Sequence, residues 1–210
     1  MKIERHNSPN FSSRKGMKVT GTVIHYTADG PEWNPVKWLC MPEAGASAHC
    51  VIERAGPVHR LVKLRDKAWH AGESEWLHRG VLPENVSRYT IGIEIANCGL
   101  LFKSKSGDFY WRQNRRFRPY IGPKPRWGKL TYPGGRIVEG YWEPYTDAAM
   151  NSLQELLAKL TQIGYGEAAQ NLVGHEEISP ERKSDPGPLF PWERFSRKLP
   201  KSTKAIIGDA

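Results

Sequence analysis

Short apolar runs broken by polar Gly/Pro clusters cover most of the chain, and their period changes in a way that predicts strands mixed with helices. Gly21 to Tyr26 (GTVIHY) is β-branched and apolar up to the polar stretch Thr27 to Pro31. It predicts a buried strand with His25 at its C-terminal end. Glu32 to Met41 has helical character, and Ala48 to Glu53 and Val58 to Val62 predict two strands around the turn Arg54 to Pro57. Tyr89 to Asn97 is the clearest strand, because Ile91, Ile93 and Ile95 share one face while Gly92, Glu94 and Ala96 share the other. Leu153, Leu156, Leu157, Leu160 and Ile163 recur at helical spacing, so Thr146 to Ile163 predicts a helix with Thr146 as N-cap and Gly164 just past its end. Asn171 to Gly174 predicts a short strand leading into His175, and Pro191 to Lys198 a last short helix. Without strict βαβ alternation, the expected fold is α/β, a single domain with a central mixed β-sheet flanked by helices.

Residues 100–144 break this pattern. They hold 10 Lys/Arg against 3 Asp/Glu, 10 aromatics and 11 Gly/Pro, and so carry +7 of the chain's net +9. Their prolines and glycines argue against regular structure and their aromatics against disorder, which predicts a basic, aromatic-rich loop insertion. The domain is then residues 1–198 with the insertion at 100–144, followed by a C-terminal tail at 199–210. The positive balance favours anionic partners without choosing among wall polymers, membrane surfaces and nucleic acid. No run approaches the ~20 apolar residues of a membrane helix, so no membrane insertion is expected. Met1 to Lys18 lacks the apolar core of a secretory signal, so synthesis in the cytoplasm is expected. Cys40, Cys50 and Cys98 are too few for a disulfide framework, which favours free thiols and leaves one Cys40–Cys50 bridge open.

The seven histidines are the first chemical inventory. His175-Glu176-Glu177-Ile178-Ser179 begins like H-E-x-x-H but ends in Ser, and the nearby Pro and Gly argue against a helix, so that zinc motif fails. His25 after one strand, His175 after another and Asp185 in Arg182-Lys183-Ser184-Asp185-Pro186-Gly187 make a different set. Two imidazoles and a carboxylate can hold zinc and leave a fourth position for water. From spacing alone, Asp-Pro-Gly is as readily a plain turn. His49, among apolar residues, is expected to be a buried structural histidine.

Six blocks, in order, resemble a known family. They are Val23-Ile24-His25-Tyr26-Thr27, Ser47-Ala48-His49-Cys50-Val51-Ile52, Ala68-Trp69-His70-Ala71-Gly72, Ile91-Gly92-Ile93-Glu94, Val173-Gly174-His175 and the Arg182 to Gly187 segment. The sequence is similar to the zinc-dependent N-acetylmuramoyl-L-alanine amidases of the amidase-2 type, which include AmpD-type amidases, amidase-type phage lysozymes and peptidoglycan recognition proteins. The resemblance implies one Zn2+ per chain on His25, His175 and Asp185, with Glu94 as catalytic acid and base and Lys183 stabilising the oxyanion. It also implies substrate contacts from Trp69, His70 and Arg182, and from Arg79 across a loop of different length. Trp69 is equally readable as core. Some relatives carry Tyr where Ala48 stands, which puts the weight on Glu94; close AmpD relatives carry Asn where Tyr26 stands.

The residues agree with that chemistry. Zinc lowers the pKa of bound water to about 7, Glu94 can take the water's proton and later deliver it to the leaving amine, and Gly92 and Ala96 leave room for substrate beside it. Lys183 and Asp185, two apart, point the same way in an extended segment. The expected function is a peptidoglycan amidase cutting between N-acetylmuramic acid, or its anhydro form, and L-alanine of the stem peptide. It is either a phage-type endolysin reaching the wall through a membrane lesion, favoured by the charge, or a cytoplasmic enzyme recycling muropeptides. The alternative is a non-catalytic peptidoglycan- or muropeptide-binding module. Nucleic acid is not the expected partner, although interleaved aromatics and Lys/Arg suit single strands. The insertion is expected either to rim the cleft and meet anionic wall polymers or to be a decorated surface loop.

Overall fold

The computed structural model describes residues 2–76, 86–113, 116–195 and 204–208. Its strands are β1 (Ile3–Arg5), β2 (Phe11–Ser13), β3 (Gly21–Tyr26), β4 (Cys50–Ile52), β5 (Val58–Arg60), β6 (Asp66–Ala68), β7 (Thr90–Ile95) and β8 (Leu100–Lys103). They continue with β9 (Phe109–Gln113), β10 (Arg116–Pro119), β11 (Arg126–Thr131), β12 (Ile137–Trp142), β13 (Leu172–Gly174) and β14 (Lys204–Gly208). The helices are α1 (Pro35–Leu39), α2 (Val86–Tyr89), α3 (Asp147–Leu160), α4 (Gly166–Gln170) and α5 (His175–Ile178).

The first sheet runs β1-β5-β4-β7-β3-β13 and is mixed, with β7 parallel to both β4 and β3. Ile91, Ile93 and Ile95 turn one face of β7 into the main core, where they are fully buried against Met150, Leu153, Leu156 and Leu157 of α3. Truncating one such isoleucine to Ala costs roughly 2–5 kcal/mol. Thr146 caps α3 by accepting from the Ala149 N–H. The helix stops at Leu160, three residues short of the expected end, and passes through a wide turn at Thr161–Tyr165 in which Gly164 takes φ +94°. Ile163 therefore leaves the apolar stripe and is exposed.

The insertion corrects the expectation of an irregular loop. It forms most of a second six-stranded sheet, ordered β10-β9-β8-β12-β11-β14. Pro133-Gly134-Gly135 makes the turn between β11 and β12, and Pro123 and Pro125 lie in the connection before β11, so these prolines fall between strands. Residues 204–208 of the expected tail are β14, antiparallel to β11. The predicted last helix is a single tight turn at Trp192–Phe195; the rest of that prediction lies outside the described residues. All three cysteines are free thiols, so no Cys40–Cys50 bridge forms. Among the described residues no helix is long and apolar enough to cross a membrane.

Candidate active site

The second face of β7 opens onto the cleft. Parallel register sets Glu94 of β7 beside His25 of β3, and β13 on the far side of β3 ends where His175 begins. His175 starts the single helical turn α5, where sequence reasoning expected no helix; Ser179 in the place of a second histidine still breaks the H-E-x-x-H pattern. Asp185 returns on the following loop, with its backbone carbonyl accepting from the Glu176 N–H.

His25, His175 and Asp185 come together as expected, all three buried. His25 Nδ1 lies 2.9 Å from His175 Nδ1 and 3.0 Å from Asp185 Oδ2, and His175 Nδ1 lies 2.9 Å from the same oxygen. The far sides of both rings are engaged as well. Thr90 Oγ1 spends its only proton on the Val86 carbonyl at 2.7 Å and so accepts from His70 Nε2 at 3.2 Å. His70 Nδ1 is then a lone pair that accepts from His25 Nε2 at 3.1 Å. His175 Nε2 donates to the Ala71 carbonyl at 3.1 Å. His25, with its proton on Nε2, thus turns an unprotonated Nδ1 toward the carboxylate, and His175 presents its Nδ1 to the same oxygen. Two imidazole nitrogens and a carboxylate oxygen converging this closely fit a divalent cation, with N, N and O donors suited to zinc.

Electrostatics favour a neutral His25 beside an ionised Asp185. Burial, then the charge of His175, pushes the His25 imidazole down to about 4, so the ring is neutral at pH 7. Burial alone would raise Asp185, but the charges and hydrogen bonds of His175 and His25 hold it below the usual carboxylate range. Burial, then Asp185 and Asp29, raises the Glu94 carboxyl well above the ordinary range against the opposing pull of Lys183. Glu94 Oε2 is buried without a hydrogen-bond partner. Glu94, Lys183, Trp69, His70 and Arg182 line one cleft of about 400 Å³ with the three candidate ligands.

Several expected roles change in detail. Trp69 is 40% exposed at the rim rather than core. His70 is buried and, at the cleft wall, its Nδ1 accepts from His25. Its ring occupies the space at Gly92, where an added Cβ would lie 2.4 Å from His70 Cγ, so that gap holds an imidazole and not substrate. Arg182 Nη2 is already engaged by the carbonyls of Ala71 and Glu73, at 3.2 and 2.8 Å. Arg79 lies outside the described residues, as does His78. His49 is fully buried as expected, its Nδ1 accepting from the Gly92 N–H at 2.9 Å.

Sequence reasoning missed other participants. Tyr26 Oη pairs with Ser184 Oγ at 2.9 Å and steadies the segment between Lys183 and Asp185. Arg136 of the turn before β12 donates to the carbonyls of Pro180 and Lys183 at 2.5 and 2.9 Å. Buried Arg14 grips the carbonyls of Ser87, Arg88 and Thr90 at the foot of β7. Tyr26 stood out as a departure from the family pattern; nothing in the sequence marks Arg136 or Arg14 among so many arginines.

A second chamber of about 330 Å³ adjoins the cleft through Thr27, Ala28, Leu39 and Glu94, and is walled by Asp29, Trp33, Trp38 and Arg112 of β9. The insertion reaches it because the buried Trp111 packs onto Gly30, where a Cβ would fall 2.4 Å from the indole.

Known proteins show the same arrangement of chain. The protein is 33% identical over 149 residues to the 1,6-anhydro-N-acetylmuramyl-L-alanine amidase AmpD of Haemophilus influenzae, covering 71% of this chain and 56% of that one. The chain thus spans little more than half the length of that curated relative. A crystal structure of an AmpD derivative shares the fold with TM-score 0.59 at 24% identity, covering 92% of each chain. The Escherichia coli amidase AmiD, solved with anhydro-N-acetylmuramic acid-L-Ala-D-γ-Glu-L-Lys, matches with TM-score 0.58 at 27% identity over 88% of this chain and 57% of that one. The Amidase_2 family model, described as N-acetylmuramoyl-L-alanine amidase, matches residues 15–188, from before β3 to beyond Asp185, and the chain belongs to that family.

Proposed function

We propose that the protein hydrolyses the amide joining the lactyl group of N-acetylmuramic acid to L-alanine of the stem peptide, with one Zn2+ held by His25, His175 and Asp185. The observation that carries this is the convergence of those three side chains beside Glu94, whose Oε2 is buried without a hydrogen-bond partner. Zinc in that position supplies Lewis acidity, lowering the pKa of water toward about 7 and polarising the scissile carbonyl. Glu94 accepts the proton of the attacking water as its oxygen bonds to the carbonyl carbon. Lys183 faces the developing oxyanion, a contribution of roughly 2.7–4 kcal/mol if it matches a lost oxyanion-hole donor. Glu94 then returns the proton to nitrogen as the C–N bond breaks, leaving a carboxylate on the muramyl side and a free L-alanine amine. His70 and Thr90 take no part in bond making; they hold the His25 ring.

The intact wall, reached as a phage-type endolysin, is the favoured substrate. The support is the second chamber, whose two indoles offer flat apolar faces to sugar rings and whose Arg112 suits a stem-peptide carboxylate, together with the basic insertion suited to anionic wall polymers. Recycling of soluble anhydro-muropeptides in the cytoplasm is the second reading, favoured by the name of the AmpD relative and the ligand in the AmiD structure. Mass spectrometry of products from intact sacculi and from a purified anhydro-muropeptide separates the two. Peptides with a free L-alanine amine are expected from both, with faster release from sacculi; cleavage of the soluble fragment alone reverses the preference. Chelation should abolish turnover and added zinc restore it, while full activity after exhaustive metal removal overturns the mechanism and a zinc-loaded protein that cuts neither substrate leaves a binding module.

A further inference from the structure

We propose that Glu4, His6 and His59 form a second divalent-metal site of the zinc class, at the opposite edge of the first sheet from β13. Parallel pairing of β1 with β5 sets Glu4 beside His59, and His6, the first residue past β1, is held there by its N–H to the Arg60 carbonyl at 2.9 Å. His59 is nearly buried and donates Nε2–H to Glu53 Oε1 at 2.8 Å. That is the carboxylate–histidine arrangement which fixes the tautomer and raises the basicity of a metal-binding ring. Its Nδ1 is then a lone pair, 3.0 Å from His6 Nε2 and 3.5 Å from Glu4 Oε2. The Glu4, His6 and His59 ligand atoms all lie within 4.8 Å of one another.

Two imidazoles and a carboxylate suit zinc and its neighbours in the transition series better than calcium or magnesium, which take oxygen donors. Glu4 is exposed, so the set opens to solvent and leaves a position for water. The donors come from both sides of one strand pairing. An ion here would clasp the three-residue edge strand β1 to the β4–β5 hairpin, linking metal binding to stability and not to turnover. None of these residues touches the cleft, so the site stands or falls independently of the amidase reading.

Titration of the metal-stripped protein with Zn2+, followed by calorimetry or by competition with a chromophoric chelator, should give two ions per chain. Asp185→Ala should retain one, and its melting temperature should still rise with Zn2+. Adding His6→Ala or Glu4→Gln should weaken that remaining ion by about tenfold or more and remove the rise. Both positions lie at the sheet edge away from the main core, so these variants test the site even if His59→Ala fails to fold. A plain hydrogen-bonded histidine pair would be indifferent to Glu4→Gln. One ion in the unaltered protein and none in Asp185→Ala, or a second ion unaffected by His6→Ala and Glu4→Gln, overturns the proposal.

Discussion

The two six-stranded sheets divide the work differently. The first is anchored by apolar burial on one face of β7 and uses its other face for chemistry, so Ile93 and Glu94, adjacent in sequence, serve opposite ends. The second carries most of its charge in solvent and is fixed by two smaller apolar clusters, Trp111 with Leu101 and Cys98 and Trp142 with Leu130, Tyr132, Tyr26 and Leu189, and by two polar ties, Arg136 on the Pro180 and Lys183 carbonyls and Arg54 on Glu143. That buried carboxylate receives Arg54 at 2.7 and 2.9 Å and the Cys98 N–H, closing the entrance of the insertion on its exit. The contrast indicates that the candidate groups Glu94 and His25 are placed by strand register, whereas the insertion is placed by small apolar clusters and a few polar ties.

The largest test of this division is Glu94→Gln, which keeps the first sheet and should keep zinc. Turnover should fall by roughly 10²–10⁴, measured on a purified muropeptide beside metal analysis; unchanged turnover assigns the proton transfer elsewhere. Next is Trp111→Ala, expected to cost about 3–5 kcal/mol in denaturant unfolding while a single transition persists. Two separate transitions would make the second sheet an independent unit. His70→Ala should weaken zinc about 10–100-fold without altering the fold by circular dichroism, because His25 loses the acceptor that fixes its tautomer; unchanged affinity refutes that role.

The smallest effect is a pH slope. Burial, then Arg14, pushes the His49 imidazole down to about 3, below its unfolded value near 6.5. The unfolded chain therefore binds the proton first: His49 contributes its full stabilisation above pH 6.5 and loses it as pH falls toward 3. The slope approaches about 1.4 kcal/mol per unit for one such group. Denaturant midpoints from pH 7 to 4 should fall accordingly, and less steeply in His49→Gln. An equal slope in both proteins would locate the effect in other groups.

Much of the first sheet was legible because period-two alternation and β-branched runs report burial directly. The strand bearing Glu94 and the one ending at His25 were placed almost to the residue. The second sheet was not, because Gly and Pro were counted over the whole insertion when what matters is where they fall. Pro123, Pro125 and Pro133 lie between strands, and Gly128 faces Gly140 across the β11–β12 pairing, a relation no local pattern displays. The candidate metal set was only weakly legible from its residue types, because its members are far apart in the chain, and the resemblance made it specific. The inward turn of His70 required the gap at Gly92, which becomes visible only when the loop after β6 is laid over β7.

The grip of Arg136 on the Pro180 and Lys183 carbonyls has a practical corollary. Anyone exchanging this insertion for another must supply a comparable cation at the same spot. Otherwise the graft will also loosen the Pro180 to Lys183 segment that leads into Asp185.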